Sequence, residues 1–75
     1  MDYRDYIESK YDILLGKPVI KGTRISVELI LKKMSEGAAV EDILLAYPQL
    51  TPLSISAVLA YASDVVANES LITAA

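Results

Sequence analysis

The sequence predicts a mainly α protein: a homeodomain-like three-helix core of the helix-turn-helix class, preceded by a short N-terminal β-hairpin-like segment. Three observations lead there. Apolar residues recur at helical spacing in three separate runs after Ile25, and the first two runs close on Gly37 and Pro48, residues that stop helices. Only Pro48-Gln49-Leu50 stand between the second run and the cap of the third, a connection short enough to cross two helices steeply. Ahead of them the chain is rich in turn residues and short apolar pairs rather than periodic.

The N-terminal segment, residues 1–25, carries Tyr3, Tyr6 and Ile7, then Ile13 to Leu15, then Val19 and Ile20, punctuated by Gly16-Lys17-Pro18 and Gly22-Thr23. That pattern predicts two or three short strands, which must pack on the helices because an isolated hairpin is marginal in water. The core is expected over residues 26–68. Ser26 is an N-cap for a first helix over Val27 to Glu36, with Val27, Ile30, Leu31 and Met34 on one face, Gly37 at the stop and a Glu28–Lys32 pair at i, i+4. A second helix, Val40 to Tyr47, has Glu41 and Asp42 at its positive end but no capping oxygen at Ala39. The third has Thr51 as cap and Pro52 at its first position, and runs to about Asn68 with Ile55, Val58, Leu59, Ala62, Val65 and Val66 on one stripe. A tail over 69–75 holds two further apolar residues, Leu71 and Ile72, and the whole of 1–75 reads as one domain.

Seventy-five residues leave a thin stability margin, and the usual supports are missing: there is no Cys for a disulfide and no Cys or His for zinc. Hydrophobic residues make up 53 % with a mean hydropathy of +0.38, more than so small an interior hides, which predicts a homodimer or an obligate partner. No apolar run reaches the roughly 18 residues of a membrane span, and Met1-Asp2-Tyr3-Arg4-Asp5 lacks the order of a secretion signal, so a cytoplasmic location is expected. An enzyme is not expected either. His and Cys are absent, no Ser sits in a nucleophile motif, the acids are scattered, and a pocket of about 300 Å³ or more is hard to build at this size. The sequence therefore proposes no catalytic residue, cofactor, metal or small-molecule substrate.

All seven cations, Arg4, Lys10, Lys17, Lys21, Arg24, Lys32 and Lys33, fall in residues 1–33 against five acids, and five acids with no cation follow. Contact with a polyanion must use the front of the molecule. A helix-turn-helix reads bases from the start of its second helix, with Arg, Lys, Asn or Gln. Here the third helix puts Ser54, Ala57, Tyr61, Asp64 and Asn68 on its expected solvent side, poor equipment for double-stranded DNA. Lys17, Lys21 and Arg24, with Lys32 and Lys33, are the nucleic-acid candidates; the bland alternative is a solvated turn and two charges complementing the end of the first helix. The small edge Ser56, Ala60 and Ser63 suits close packing of another helix. Tyr3, Tyr6 and Tyr11 are interleaved with acids rather than bases, which favours protein contact or strand packing over base stacking. Tyr47 and Tyr61 read as core-rim residues.

Two stretches carry a resemblance: Leu15-Gly16-Lys17-Pro18-Val19-Ile20-Lys21-Gly22-Thr23-Arg24-Ile25, followed by Val27-Glu28-Leu29-Ile30, and Ala46-Tyr47-Pro48-Gln49-Leu50-Thr51. Together they resemble domain-of-unknown-function family 433 over roughly Ile7 to Ala62. The resemblance implies a helix-turn-helix-class fold with an N-terminal β segment, usually dimeric, among VapB-like antitoxins encoded beside PIN-like nuclease toxins. The chain departs from the family where Ala38-Ala39-Val40 replace the common Ser/Thr-Pro start of the second helix, which counts against simple DNA reading. Arg24 lies within the motif and has two readings: a bridge to a carboxylate within the dimer, or insertion into the acidic site of a PIN-like nuclease. Arg24, Ser56, Ala60, Ser63, Leu71 and Ile72 are the partner-binding candidates. The expected function is an antitoxin-like dimer that occludes a nuclease and autoregulates transcription. An autonomous DNA-binding regulator and a purely structural interaction module are the alternatives.

Overall fold

The computed structural model describes residues 1–68; the partner-binding candidates Leu71 and Ile72 lie outside them. Two strands, β1 (Ile7–Glu8) and β2 (Val19–Ile20), pair antiparallel with Ile7 opposite Ile20 and Glu8 opposite Val19. Three helices follow, α1 (Val27–Ser35), α2 (Val40–Ala46) and α3 (Pro52–Ala67), each packed on the other two. The architecture is mainly helical, as expected. None of the described helices is long and apolar enough to cross a membrane.

The helix ends follow from their caps. Ser26 accepts a hydrogen bond from the Leu29 N–H at 3.0 Å and starts α1. At the other end Gly37, at φ +102°, lets the chain reverse: the Ala38 N–H reaches the Lys33 carbonyl and the Gly37 N–H that of Met34, the paired pattern of a Schellman stop. Thr51 and Ser54 cap α3 reciprocally, each backbone N–H donating to the other's hydroxyl at 3.1 and 3.3 Å. That exchange is why Ser54 is buried without a polar cost. The missing cap at Ala39 is replaced from inside α2, where the Asp42 carboxylate accepts from the Ala39 N–H at 2.8 Å.

The core gathers Ile7, Ile20, Ile25, Val27, Ile30, Ile43, Leu50, Ile55, Ala57 and Val58 from the ribbon and all three helices. Three expectations need correction. Ile13 to Leu15 is not a strand: Leu14–Gly16 form a 3-10 turn in which Leu14, Leu15 and Gly16 all have positive φ, 51°, 56° and 86°. The extra strand-like segment lies instead at Ile25-Ser26, where Ser26 bridges Val19 and the Ile20 N–H donates to the Ile25 carbonyl. Glu28 pairs with Lys17 at 2.9 Å rather than with Lys32, which reaches Glu36 at 3.7 Å. Finally, α3 departs in part from its expected setting. Ile55 and Val58 are buried and Asp64 and Asn68 exposed, as expected, but Ser54 and Ala57 are also buried and Tyr61 is half-buried. Leu59, Val65 and Val66 face solvent, the last two because the C-terminal end of the helix, from Ser63 to Asn68, is exposed on every face.

Candidate functional site

The cationic turn is built by the motif Ile20-Lys21-Gly22-Thr23-Arg24-Ile25. Ile20 and Ile25 both point into the core, so the four residues between them must turn the chain in a tight loop. Gly22 takes φ +75°, where a side chain would be strained. Thr23 then locks the loop from within: its hydroxyl donates to the Ile20 carbonyl at 2.8 Å and accepts from the Ile25 N–H at 3.0 Å. From outside, the Lys21 N–H donates to the Tyr6 carbonyl and the Gly22 N–H to the Glu8 carboxylate at 3.2 Å. With its flanking residues held inward, Arg24 has only solvent to enter, and both Lys21 and Arg24 are exposed.

The five nucleic-acid candidates separate on this geometry. Lys17 is joined to Glu28, which holds that carboxyl below its usual range, and Lys32 to Glu36. Lys21, Arg24 and Lys33 make no ion pair among the described residues. Lys33, half-buried, lines a hollow of about 250 Å³ with Glu36, Ala38, Asp42, Ile43 and Ala46, away from the turn in sequence and among acids. The structural bridge that was one reading of Arg24 finds no carboxylate within this chain's described residues.

The second candidate surface is on α3. Of the small edge, Ala60 is half-buried and Ser63 lines a groove with Met1, Asp2, Tyr3, Arg4, Asp64 and Ala67; Ser56 is exposed. The chain's own first turn (Tyr3–Asp5) packs on α3 beside this edge, where Ser56 and Ser63 remain exposed. Tyr3 stands edge-on to Tyr61, ring centres 5.4 Å apart, and donates to the Asp64 carboxylate at 2.6 Å. That hydrogen bond, together with burial, raises the Tyr3 pKa above its ordinary 10.0. The groove encloses about 510 Å³, more than was expected of so short a chain, but it is wide open. The large apolar side chains exposed on the helices are Leu59 (45 % exposed), Val65 (50 %) and Val66 (64 %) along α3, with Leu53 at its start and Leu45 (82 %) on α2; Met1, Tyr11, Leu14 and Leu15 are exposed in the N-terminal segment.

Among the described residues no group of three or more Cys, His, Asp or Glu could hold a metal. The Tyr3–Asp64 and Lys17–Glu28 contacts and the Glu8 brace were not anticipated from sequence: each joins residues far apart in a pairing that only the packed fold sets. The Thr23 lock had a local signal, a hydroxyl residue after a turn glycine.

A family model described as protein of unknown function (DUF433) matches residues 7–62, most of the chain. No curated protein and no solved structure matches it.

Proposed function

We infer that this chain, which belongs to the DUF433 family, is a non-enzymatic binding protein acting as the antitoxin-like half of a two-protein system. It forms a homodimer in the cytoplasm, docks on a PIN-like nuclease and inhibits by occluding it. The observation that carries this reading is the apolar surface exposed on the helices among the described residues, Leu45, Leu53, Leu59, Val65 and Val66. A chain of this size has little stability to spare, so side chains of that kind held in water are better accounted for by a protein that covers them. The absence of His and Cys from the whole sequence supports binding over chemistry.

Direct reading of double-stranded DNA has less support. Two of its five candidate cations are engaged by Glu28 and Glu36, and nothing on α3 is suited to a base edge. Co-expression with the adjacent reading frame, followed by affinity capture and a growth assay, tests the leading reading. A stable complex and rescue of growth are expected; an adjacent product that is neither bound nor silenced contradicts it.

A further inference from the structure

We propose that the connection between β1 and β2 carries a preformed apolar knob, Tyr11, Leu14 and Leu15, that seats in an apolar cleft of the protein partner. This rests on the reading of the chain as a protein-binding module and gives that module a contact surface on its N-terminal segment.

Strain and exposure coincide at the knob. Leu14 and Leu15 both stand in the left-handed region, at φ 51° and 56°, where a side chain crowds the carbonyl that follows it. Leu15 is 78 % exposed and Tyr11 80 %, so burial in the folded chain repays little of that cost. A strained conformation persists where its surroundings impose it, and here the backbone does so. The Ile13 N–H donates to the Lys10 carbonyl at 2.9 Å, the Gly16 N–H to the Ile13 carbonyl at 3.1 Å and the Lys17 N–H to the Leu14 carbonyl at 3.2 Å. The turn therefore keeps its shape without help from the side chains at its tip, which stand in water and need little further ordering to bind.

The lysines on either side of the knob are already neutralised, Lys10 lying 3.7 Å from Glu8 and Lys17 2.9 Å from Glu28. What the connection offers a partner is an apolar tip. A second copy of the chain receives such a tip poorly. One of its hollows is lined by Lys33, Glu36 and Asp42 and the other by Asp2, Arg4 and Asp64, and apolar side chains pressed into either strip water from charges without pairing them. Leu59 and Val66 are exposed on the convex surface of α3, where a second projection covers little area. A lipid surface is a poorer match as well, because interfacial binding draws on free basic residues around the apolar face. Here the flanking lysines are tied, and Asp12, between Tyr11 and Leu14, has no ion pair among the described residues. An apolar cleft on a different protein takes the two leucines and the tyrosine and strands no charge.

The test uses the full chain and the purified product of the adjacent reading frame, with titration calorimetry of wild type, Leu15→Asn, Leu15→Met and Tyr11→Ser, and thermal melts of each chain alone. Asparagine enters the left-handed region more readily than leucine. Leu15→Asn should therefore melt at or above the wild-type temperature and yet bind about ten-fold more weakly or worse, the scale of one leucine withheld from burial. Leu15→Met keeps an apolar side chain at the tip and should bind nearly as wild type does, while Tyr11→Ser should weaken binding without changing the melt. Wild-type affinity in both Leu15→Asn and Tyr11→Ser overturns the knob and leaves the binding function standing. Failure of wild type to bind overturns both. A melt of Leu15→Asn well below wild type also overturns the knob, because the side chain then supports the isolated fold. Two further arms use sedimentation of the chain alone and flotation with vesicles of neutral and of anionic phospholipid. Self-association or vesicle binding that Leu15→Asn abolishes, while the protein complex is unaffected, overturns the proposal in favour of a second copy or of a lipid surface.

Discussion

Thr23 and Leu15 show the two ways a single residue departs from its surroundings. The Thr23 hydroxyl makes two hydrogen bonds that hold Ile20 and Ile25 at the ends of one loop, so Thr23→Val should lower unfolding free energy by about 1–2 kcal/mol while Thr23→Ser stays near wild type. Urea denaturation reads this, and a Val variant as stable as wild type would show that the lock is dispensable. Leu15 is the opposite case. It is 78 % exposed at φ 56°, a left-handed conformation that costs a side chain about 1–2 kcal/mol and that no contact of its own offsets. Leu15→Gly should therefore raise stability, by up to about 1 kcal/mol after the freedom glycine adds to the unfolded chain; a loss on denaturation would reveal a contact made by that side chain. Tyr3 adds a pH signature. Its neutral hydroxyl is the donor to Asp64, and its pKa is raised in the folded chain. The stabilisation is complete below pH 10.0 and disappears as pH rises through the higher folded value, a decline that Tyr3→Phe should lack in alkaline melts.

At the scale of the elements, the caps carried the legible information. Ser26, Gly37, Thr51 and Pro52 placed α1 and α3 to within a residue because capping is local chemistry between neighbours. The inward face of α3 was not legible for a physical reason: apart from Tyr61, only Ser54, Ser56, Ser63 and Asp64 interrupt its apolar and small residues. A helix with so little contrast around its circumference offers no periodic signal, and the choice of face falls to packing, here to the core contacts that bury Ala57 and to the Thr51–Ser54 cap that hides Ser54. Ile13 to Leu15 misled for a related reason, since a short apolar run has no period. Of the candidate site, Lys21 and Arg24 could be marked from charge and motif, while their separation from Lys17 depended on Glu28, eleven residues away along the chain. The burial pattern of α3 is directly testable. Ile55→Ala and Val58→Ala should cost about 2–4 kcal/mol each, whereas Leu59→Ser and Val66→Ser should change the unfolding of the isolated chain by less than about 1 kcal/mol. Equal losses at all four positions would mean that the outward stripe is buried in the isolated protein.

For the whole molecule, the recurring theme is a small core with apolar side chains left over and, among the described residues, three cations, Lys21, Arg24 and Lys33, without an ion pair. A core drawn from ten clustered residues leaves a margin that a partner can raise by mass action, because a ligand of the folded state alone stabilises it in proportion to the logarithm of its concentration. The central claim is that this chain functions by binding another protein, and the most direct measurement is light scattering on the chain mixed with the purified product of the adjacent reading frame. The account predicts a homodimer that shifts into a single larger complex of defined stoichiometry at micromolar concentration. A chain whose mass is unaffected by that protein at any accessible concentration would contradict it.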